Sequence, residues 1–298
     1  MKKKPKTTVV FGFDMETDIG SWTPFYEGLQ NGTPRILELL DKHGITATFY
    51  FTGDSVRKHP QTVKAVQAAK HEVGCHTLFH ETVGDSLFDI PGMMPLLPEE
   101  VENRLKVATE WVEEVSGERP VSFRAPRLFG STTMVNALDK LGYVSDASLP
   151  MYYYKTMLGP YHPSRKDWTR EGKLKIVELP NFADLSMKSK DPYGRDLDQW
   201  PLFRTEGAAP LMKHIRNFIT YCAGRDVDPF LCFYFHPWEF WPMIEGDIHY
   251  GEGAVRPDPF IIKGCGDVAV REFDKLVKEL KKEGAEFHQA QQVARSMS

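Results

Sequence analysis

With 298 residues, 41% hydrophobic and 26% charged, the chain has the composition of a globular protein able to bury a large core, and one domain over 1–298 is expected. Its 37 basic and 41 acidic residues are spread along the sequence for a net charge of -4, so no electropositive surface for nucleic acid or anionic lipid is indicated. The basic start passes into a run too short for a signal-peptide core, and no apolar stretch approaches bilayer length, so a cytoplasmic protein without a membrane segment is expected.

The β-branched run 7–13 reads as a buried strand, followed over 12–22 by a polar, Gly-containing exit loop carrying Asp14, Glu16 and Asp18. Thr33 is placed to cap a helix with Pro34 first, Ile36, Leu37, Leu39 and Leu40 inside and Gly44 as its stop. Residues 46–51 read as a strand, 60–70 as a helix, and 72–75 as a short strand running into His76. Over 98–116, Val101, Leu105, Ala108, Val112 and Val115 recur at three-four spacing, predicting a helix that Gly117 ends, and 121–124 supplies another strand. Residues 132–141 read as helix, 143–146 and 175–179 as extended, 208–221 as helix, and 230–235 as an apolar strand ending at His236. An amphipathic helix over 268–282 and a short strand near Phe287 complete the pattern.

Strands alternating with helices imply a parallel sheet, and seven or eight β/α units suit a (β/α)7-8 barrel, complete or slightly incomplete. Three stretches, 151–173, 182–207 and 238–266, are rich in Pro, Gly and aromatics without periodicity, as long βα-loop insertions acting as lids or subunit contacts would be. A homo-oligomer is expected on that ground. Cys75, Cys222, Cys232 and Cys265 form no CxxC pair, which fits buried thiols in a reducing compartment.

In such barrels catalytic side chains gather where strands end. Asp14 and Glu16 follow the first strand, His76 and His80 the third, Arg124 ends the fourth, Asp146 the fifth, and His236 the strand near the C-terminus. Two histidines four apart with one carboxylate from another strand make a facial set of three metal ligands with positions left open, the arrangement a hydrolytic divalent ion needs. Zinc is the first candidate, although nickel, cobalt, iron and manganese tolerate the same ligands. A second carboxylate can take a proton from water while an acid protonates the leaving nitrogen, and Asp14 and His236 are the natural base and acid. Trp238 and Trp241 read as packing, Cys75 likewise, and His43 and His71 as helix-end histidines.

Five segments in order, FGFDMETD, HEVGCHTLFH, FRAPRLFG, DASLP and FYFHPWE, resemble the five motifs of the polysaccharide deacetylase (NodB-homology, carbohydrate esterase family 4) family over residues 9 to about 240. The resemblance implies Asp14 as general base, Glu16, His76 and His80 as metal ligands, and His236 as general acid. It further implies that Arg124 orients Asp14, that Asp146 helps hold the acid side of the site, and that Thr77 steadies the histidine loop. Three features depart from the family pattern: Met15 splits an acidic pair that is usually adjacent, leaving Asp18 as a competing ligand; Tyr234 stands where a leucine usually faces the acetyl methyl; and no secretion signal is read. In GFDMETDIGSW with the long loop after it, in the HPWEFWPM tail and in the aromatic-rich insertions, the chain resembles an intracellular subgroup that includes cyclic imide and ureide hydrolases, and large lids of this kind would shrink a sugar groove to a small-molecule pocket. The expected function is metal-dependent hydrolysis of a non-peptide carbon–nitrogen bond, with an N-acetylated sugar polymer or oligosaccharide as first substrate. The alternatives are opening of an allantoin-like ring on the same site, or a non-catalytic carbohydrate- or metal-binding module.

Overall fold

The computed structural model describes residues 6–297. Seven parallel strands follow one another round a curled sheet: β1 (Thr8–Met15), β2 (Thr48–Phe51), β3 (Glu72–Cys75), β4 (Ser122–Phe123), β5 (Ser145–Asp146), β6 (Val177–Glu178) and β7 (Phe230–Phe235). β7 returns to pair with β1 from Thr8↔Phe230 to Phe13↔Phe235. The seam between β6 and β7 is a single parallel bridge, Asn181↔Cys232, with the Phe182 amide donating to the Cys232 carbonyl at 2.8 Å. The sheet therefore curls into a barrel that is thin-walled on one side. The third long insertion carries an antiparallel hairpin, β8 (Ile248–Tyr250) and β9 (Gly253–Val255), which its unpatterned sequence did not announce. β10 (Glu286–Phe287) pairs with Thr8 and Val9, occupying the part of the β1 edge that β2 leaves free, since β2 pairs only from Gly12 onward.

Alternation along β1 assigns its two faces. Val9, Phe11, Phe13 and Met15 point outward into the layer between sheet and helices, where the Phe11 ring lies 5.2 to 5.6 Å from Phe233, Phe235, Phe273 and Phe287. Each such buried aromatic contributes about 1.5–3 kcal/mol. Val10 points the other way and packs with Tyr50, Ala147, Val177, Leu179 and Cys232 as the barrel filling, with Ala290 and Val293 closing the bottom. Gly12, Asp14 and Glu16 continue that inward row toward the C-terminal mouth.

The main helices lie where the apolar spacing puts them: Thr33–His43, Pro60–Ala68, Pro98–Ser116, Thr132–Leu141, Ala208–Ala223 and Asp267–Lys282. Gly44 ends the first in the left-handed region at φ 58, as expected of a C-terminal glycine. Its start differs from the expectation: the chain is already wound over Gly28–Gly32, so Thr33 does not cap but turns its hydroxyl back to the Leu29 carbonyl at 2.7 Å. Short helices at Gly53–Lys58 and Ala290–Arg295 carry too few periodic residues to have been visible in sequence.

Candidate active site

Glu16, just past β1, and His76 and His80, just past β3, converge at the mouth of the barrel. Glu16 Oε2 lies 2.5 Å from His80 Nε2 and 3.3 Å from His76 Nε2, and one ligand atom of each residue lies within 4.8 Å of the others. The loop that aims both rings is fixed by backbone bonds, with the His76, Gly53 and Asp54 amides donating to the Phe51, Thr77 and Leu78 carbonyls at 2.7, 2.9 and 3.0 Å. The Glu81 carboxylate accepts from the Leu78 and Phe79 amides at 3.3 and 2.6 Å. Thr77 contributes through its carbonyl, since its buried hydroxyl has no partner.

The chemistry of this trio fits a cation. His76 Nδ1 lies 2.7 Å from the Arg124 carbonyl, which can only accept, so Nδ1 carries a proton and Nε2 is the nitrogen turned to the trio. Both Glu16 oxygens are buried without a hydrogen-bond partner, a costly state unless a cation answers them. Burial works to raise the Glu16 pKa, but the charge of His80 and the approach of both imidazoles hold it well below the ordinary carboxylate range. Burial lowers the His80 pKa against the pull of Glu16. An ionised carboxylate and deprotonated imidazole nitrogens are what a divalent ion binds.

Asp14 sits one inward position before Glu16, and Arg124 Nη1 donates to its Oδ1 at 2.9 Å. Arg124 is fully buried; its Nε donates to the Ala147 carbonyl at 3.1 Å, Nη2 to the Phe233 carbonyl at 3.2 Å, and its guanidinium lies 4.5 Å from the Tyr50 ring centroid. Burial opposes that charge, yet Asp14 outweighs it and raises the Arg124 pKa. Across the mouth, His236 Nε2 stands 4.0 Å from Asp14 Oδ2 and 3.9 Å from Glu16 Oε1.

His236 is held by residues that sequence reasoning missed. Its Nδ1 is 3.0 Å from Glu239 Oε1, which also accepts from the His236 amide at 2.8 Å and from Trp200 Nε1 at 3.0 Å, while Arg204 Nε donates to Glu239 Oε2 at 2.6 Å. The His236 ring stacks on Trp238, centroids 5.2 Å apart. Burial favours neutral His236, but Glu239, Glu16 and Asp14 overcome it and raise its pKa. Glu239 stands three residues after His236 in HPWE, a capping-box spacing that the sequence does display.

Asp146 was expected on the acid side, but it bonds to Ser148 and shares a buried carboxyl pair with Glu178; among the described residues it has no hydrogen bond to His236. Burial raises both acids, pushing Asp146 to about 6 and Glu178 well above its usual range. Asp18, the competing ligand, instead accepts the Glu27 and Gly28 amides at 2.9 Å each and braces its loop. Trp238 is packed at 2% exposure, whereas Trp241 lines a cavity of about 380 Å³ beside the site with Asp18, Phe25 and Met243.

Strain collects around this mouth. Of nine non-glycine residues with positive φ among those described, six lie in the three loops after β1, β3 and β4: Ile19, Ser21, Thr77, His80, Arg127 and Leu128. Each costs on the order of 1–3 kcal/mol and persists because the surrounding structure over-determines it.

Residues 1–145 match the family model described as polysaccharide deacetylase. The first half of the chain is thus similar to that family. It is 29% identical over 121 residues to the peptidoglycan-N-acetylmuramic acid deacetylase PdaA of Bacillus subtilis, covering 40% of this chain and 42% of that protein. It is 32% identical over 111 residues to the chitooligosaccharide deacetylase of Azorhizobium caulinodans, covering 37% and 48%. The chain thus spans about half the length of these curated relatives. The fold is shared with the Puue allantoinase, at TM-score 0.63 and 14% identity over 99% of this chain and 91% of that one. It is shared too with a Bacillus anthracis pseudoenzyme of carbohydrate esterase family 4, at TM-score 0.54 and 14% identity over 98% and 66%. Members of this deacetylase family therefore include one protein described as lacking activity, which makes the side chains at the mouth the deciding evidence for any one chain.

Proposed function

We propose that the chain is a metal-dependent hydrolase of carbon–nitrogen bonds other than peptide bonds, and that an N-acetylated sugar is its first substrate. The observation that carries this reading is one mouth holding the Glu16, His76 and His80 trio with Asp14 and His236 facing each other beside it. A divalent ion held by the trio, zinc first, would supply Lewis acidity toward a water molecule and the substrate carbonyl. Arg124 holds the Asp14 carboxyl in place, so Asp14 takes the proton of the attacking water as general base. Glu239 keeps the His236 Nδ1 proton in place and favours the imidazolium, whose Nε2 proton passes to the departing nitrogen. The named activities of the deacetylase relatives support the amide bond as the target.

A second reading, opening of a cyclic imide or ureide, is favoured by the wall around Tyr234. Its hydroxyl donates to Asp198, and the Trp200 ring stacks on it with centroids 5.8 Å apart. That wall is polar and aromatic where an acetyl methyl calls for an aliphatic one. Free cysteines at all four positions further suit a reducing, cytoplasmic setting, and no described helix is long and apolar enough to cross a membrane.

The test is acetate release from N-acetylglucosamine oligomers by zinc-loaded protein, with Asp14→Asn as control. Acetate lost with Asp14 supports the sugar reading. Ring opening of allantoin or succinimide without acetate release supports the second, and neither activity from protein that binds zinc overturns both.

A further inference from the structure

Just past β6, where the barrel wall is thinnest, stands Asn181, buried at 2% exposure. Its backbone closes the seam from both sides. The Asn181 amide donates to the Leu149 carbonyl at 2.7 Å, its carbonyl accepts from the Met151 amide at 3.2 Å, and the residue forms the bridges to Pro150 and to Cys232. Its side chain turns to the arginine that reaches Asp14: Nδ2 donates to the Ala147 carbonyl at 2.7 Å, and Oδ1 accepts from Arg124 Nη2 at 3.4 Å. These partners fix which way the amide points, since a carbonyl can only accept and a guanidinium can only donate. Arg124 Nε donates to that same Ala147 carbonyl at 3.1 Å. Asn181 thus meets the guanidinium twice, directly at Nη2 and through the carbonyl that takes Nε. The other acceptors near Nη2, the Phe233 carbonyl at 3.2 Å and the Cys232 sulfur at 3.5 Å, belong to β7 across the seam. A guanidinium is planar and rigid, so fixing Nε and Nη2 also fixes where Nη1 points, which is at Asp14 Oδ1, 2.9 Å away.

We propose that Asn181 is a positioning residue for the general base: it holds the Arg124 fork in the orientation that keeps Nη1 on Asp14. Because the same residue closes the seam between β6 and β7, closure of the barrel and alignment of the base are set by one side chain and its own backbone. This inference rests on the reading of Asp14 as base and adds to it the group that aims the base's partner.

The test makes Asn181→Ala in the full chain and in an Arg124→Lys background, and reads two signals. The first is the side-chain NMR spectrum of arginine-labelled protein, with the Arg124 signals assigned by their loss in Arg124→Lys. A guanidinium held on all sides rotates slowly and shows separate Nη proton signals in the wild type, which Asn181→Ala is expected to merge. The second is turnover by zinc-loaded protein of whichever substrate it accepts. The backbone bonds at the seam do not need the side chain, so Asn181→Ala is expected to fold and bind zinc as the wild type does. Its kcat falls about ten- to a hundredfold, the span of a hydrogen bond to a charged group, with KM little changed because Asn181 does not touch substrate. In Arg124→Lys, which has already lost the fork, the same substitution costs less than about threefold. Arg124 signals that stay separate in Asn181→Ala, or an equal loss of kcat in both backgrounds, overturn the proposal. Merged signals in a protein whose wild type hydrolyses none of the amides, imides or ureides uphold the hold on Arg124 and sink the hydrolase reading instead.

Discussion

Arg124 occupies the space that a side chain at position 12 would take: a Cβ built on Gly12 would fall 2.2 Å from Arg124 Nη1 and 2.5 Å from Nη2. The glycine is what lets a fully buried guanidinium cross the barrel and reach Asp14. Gly12→Ala should therefore push Arg124 off Asp14, costing about 1–3 kcal/mol from overpacking and lowering kcat/KM. Urea denaturation together with kcat/KM on the substrate that turns over checks both. Wild-type kcat/KM in the folded variant would show that Asp14 does not depend on this arginine.

Glu239, rather than Asp146, is expected to govern the acid. Glu239 helps raise the His236 pKa, so its loss lowers that pKa, and the alkaline limb of the kcat/KM profile, where His236 loses its proton, moves to lower pH in Glu239→Gln. The His236–Glu239 contact contributes stability that is full below the unfolded histidine value and is lost as pH rises through the raised folded one. Asp146→Asn should leave the limb where it is. A shift with Asp146→Asn and none with Glu239→Gln would reverse the assignment.

Zinc should raise the Tm of the metal-free wild type by mass action on the folded state. His80→Ala removes one of three protein ligands, so bound zinc by elemental analysis should fall well below one ion per chain and the Tm gain should vanish. Undiminished zinc in His80→Ala would place the ion elsewhere.

Tyr234→Phe removes the hydroxyl that donates to half-buried Asp198. Burial pushes Asp198 to about 6, and the Tyr234 bond pulls against that rise. An acid raised in the fold is most favourable below its unfolded value and loses stability as pH climbs through the folded one. The variant should then lose on the order of 1–3 kcal/mol, more at pH 8 than at pH 5. Equal losses at both, read by urea denaturation, would mean that Asp198 is not the group affected.

The strand row and the trio were legible because each rests on short-range pattern: apolar runs mark β1, β3 and β7, and the residues just beyond them fall at one mouth by the geometry of a parallel barrel. The holder of His236 was not read correctly. Asp146 ends a strand as the others do, but its neighbour across the sheet is Glu178, and a carboxyl beside a carboxyl bonds locally instead of reaching the acid. Glu239 was passed over because an HPWE turn reads as loop, and its partner Arg204 lies 35 residues away in an insertion without periodicity. Asn181 was hidden for a further reason: nothing in ELPN says that its amide turns back to an arginine 57 residues earlier.

The last strand completes the first. Until residues 286 and 287 pair with Thr8 and Val9, the lower edge of the strand that carries Asp14 stays open. The Glu72 carboxylate at the barrel floor also waits for the Gln291 amide. During synthesis, then, the strand that carries Asp14 is made early but its lower edge is completed only when some 280 further residues have been made. Closure of the barrel is a late, long-range event, and the half-made chain is the form most exposed to mispairing.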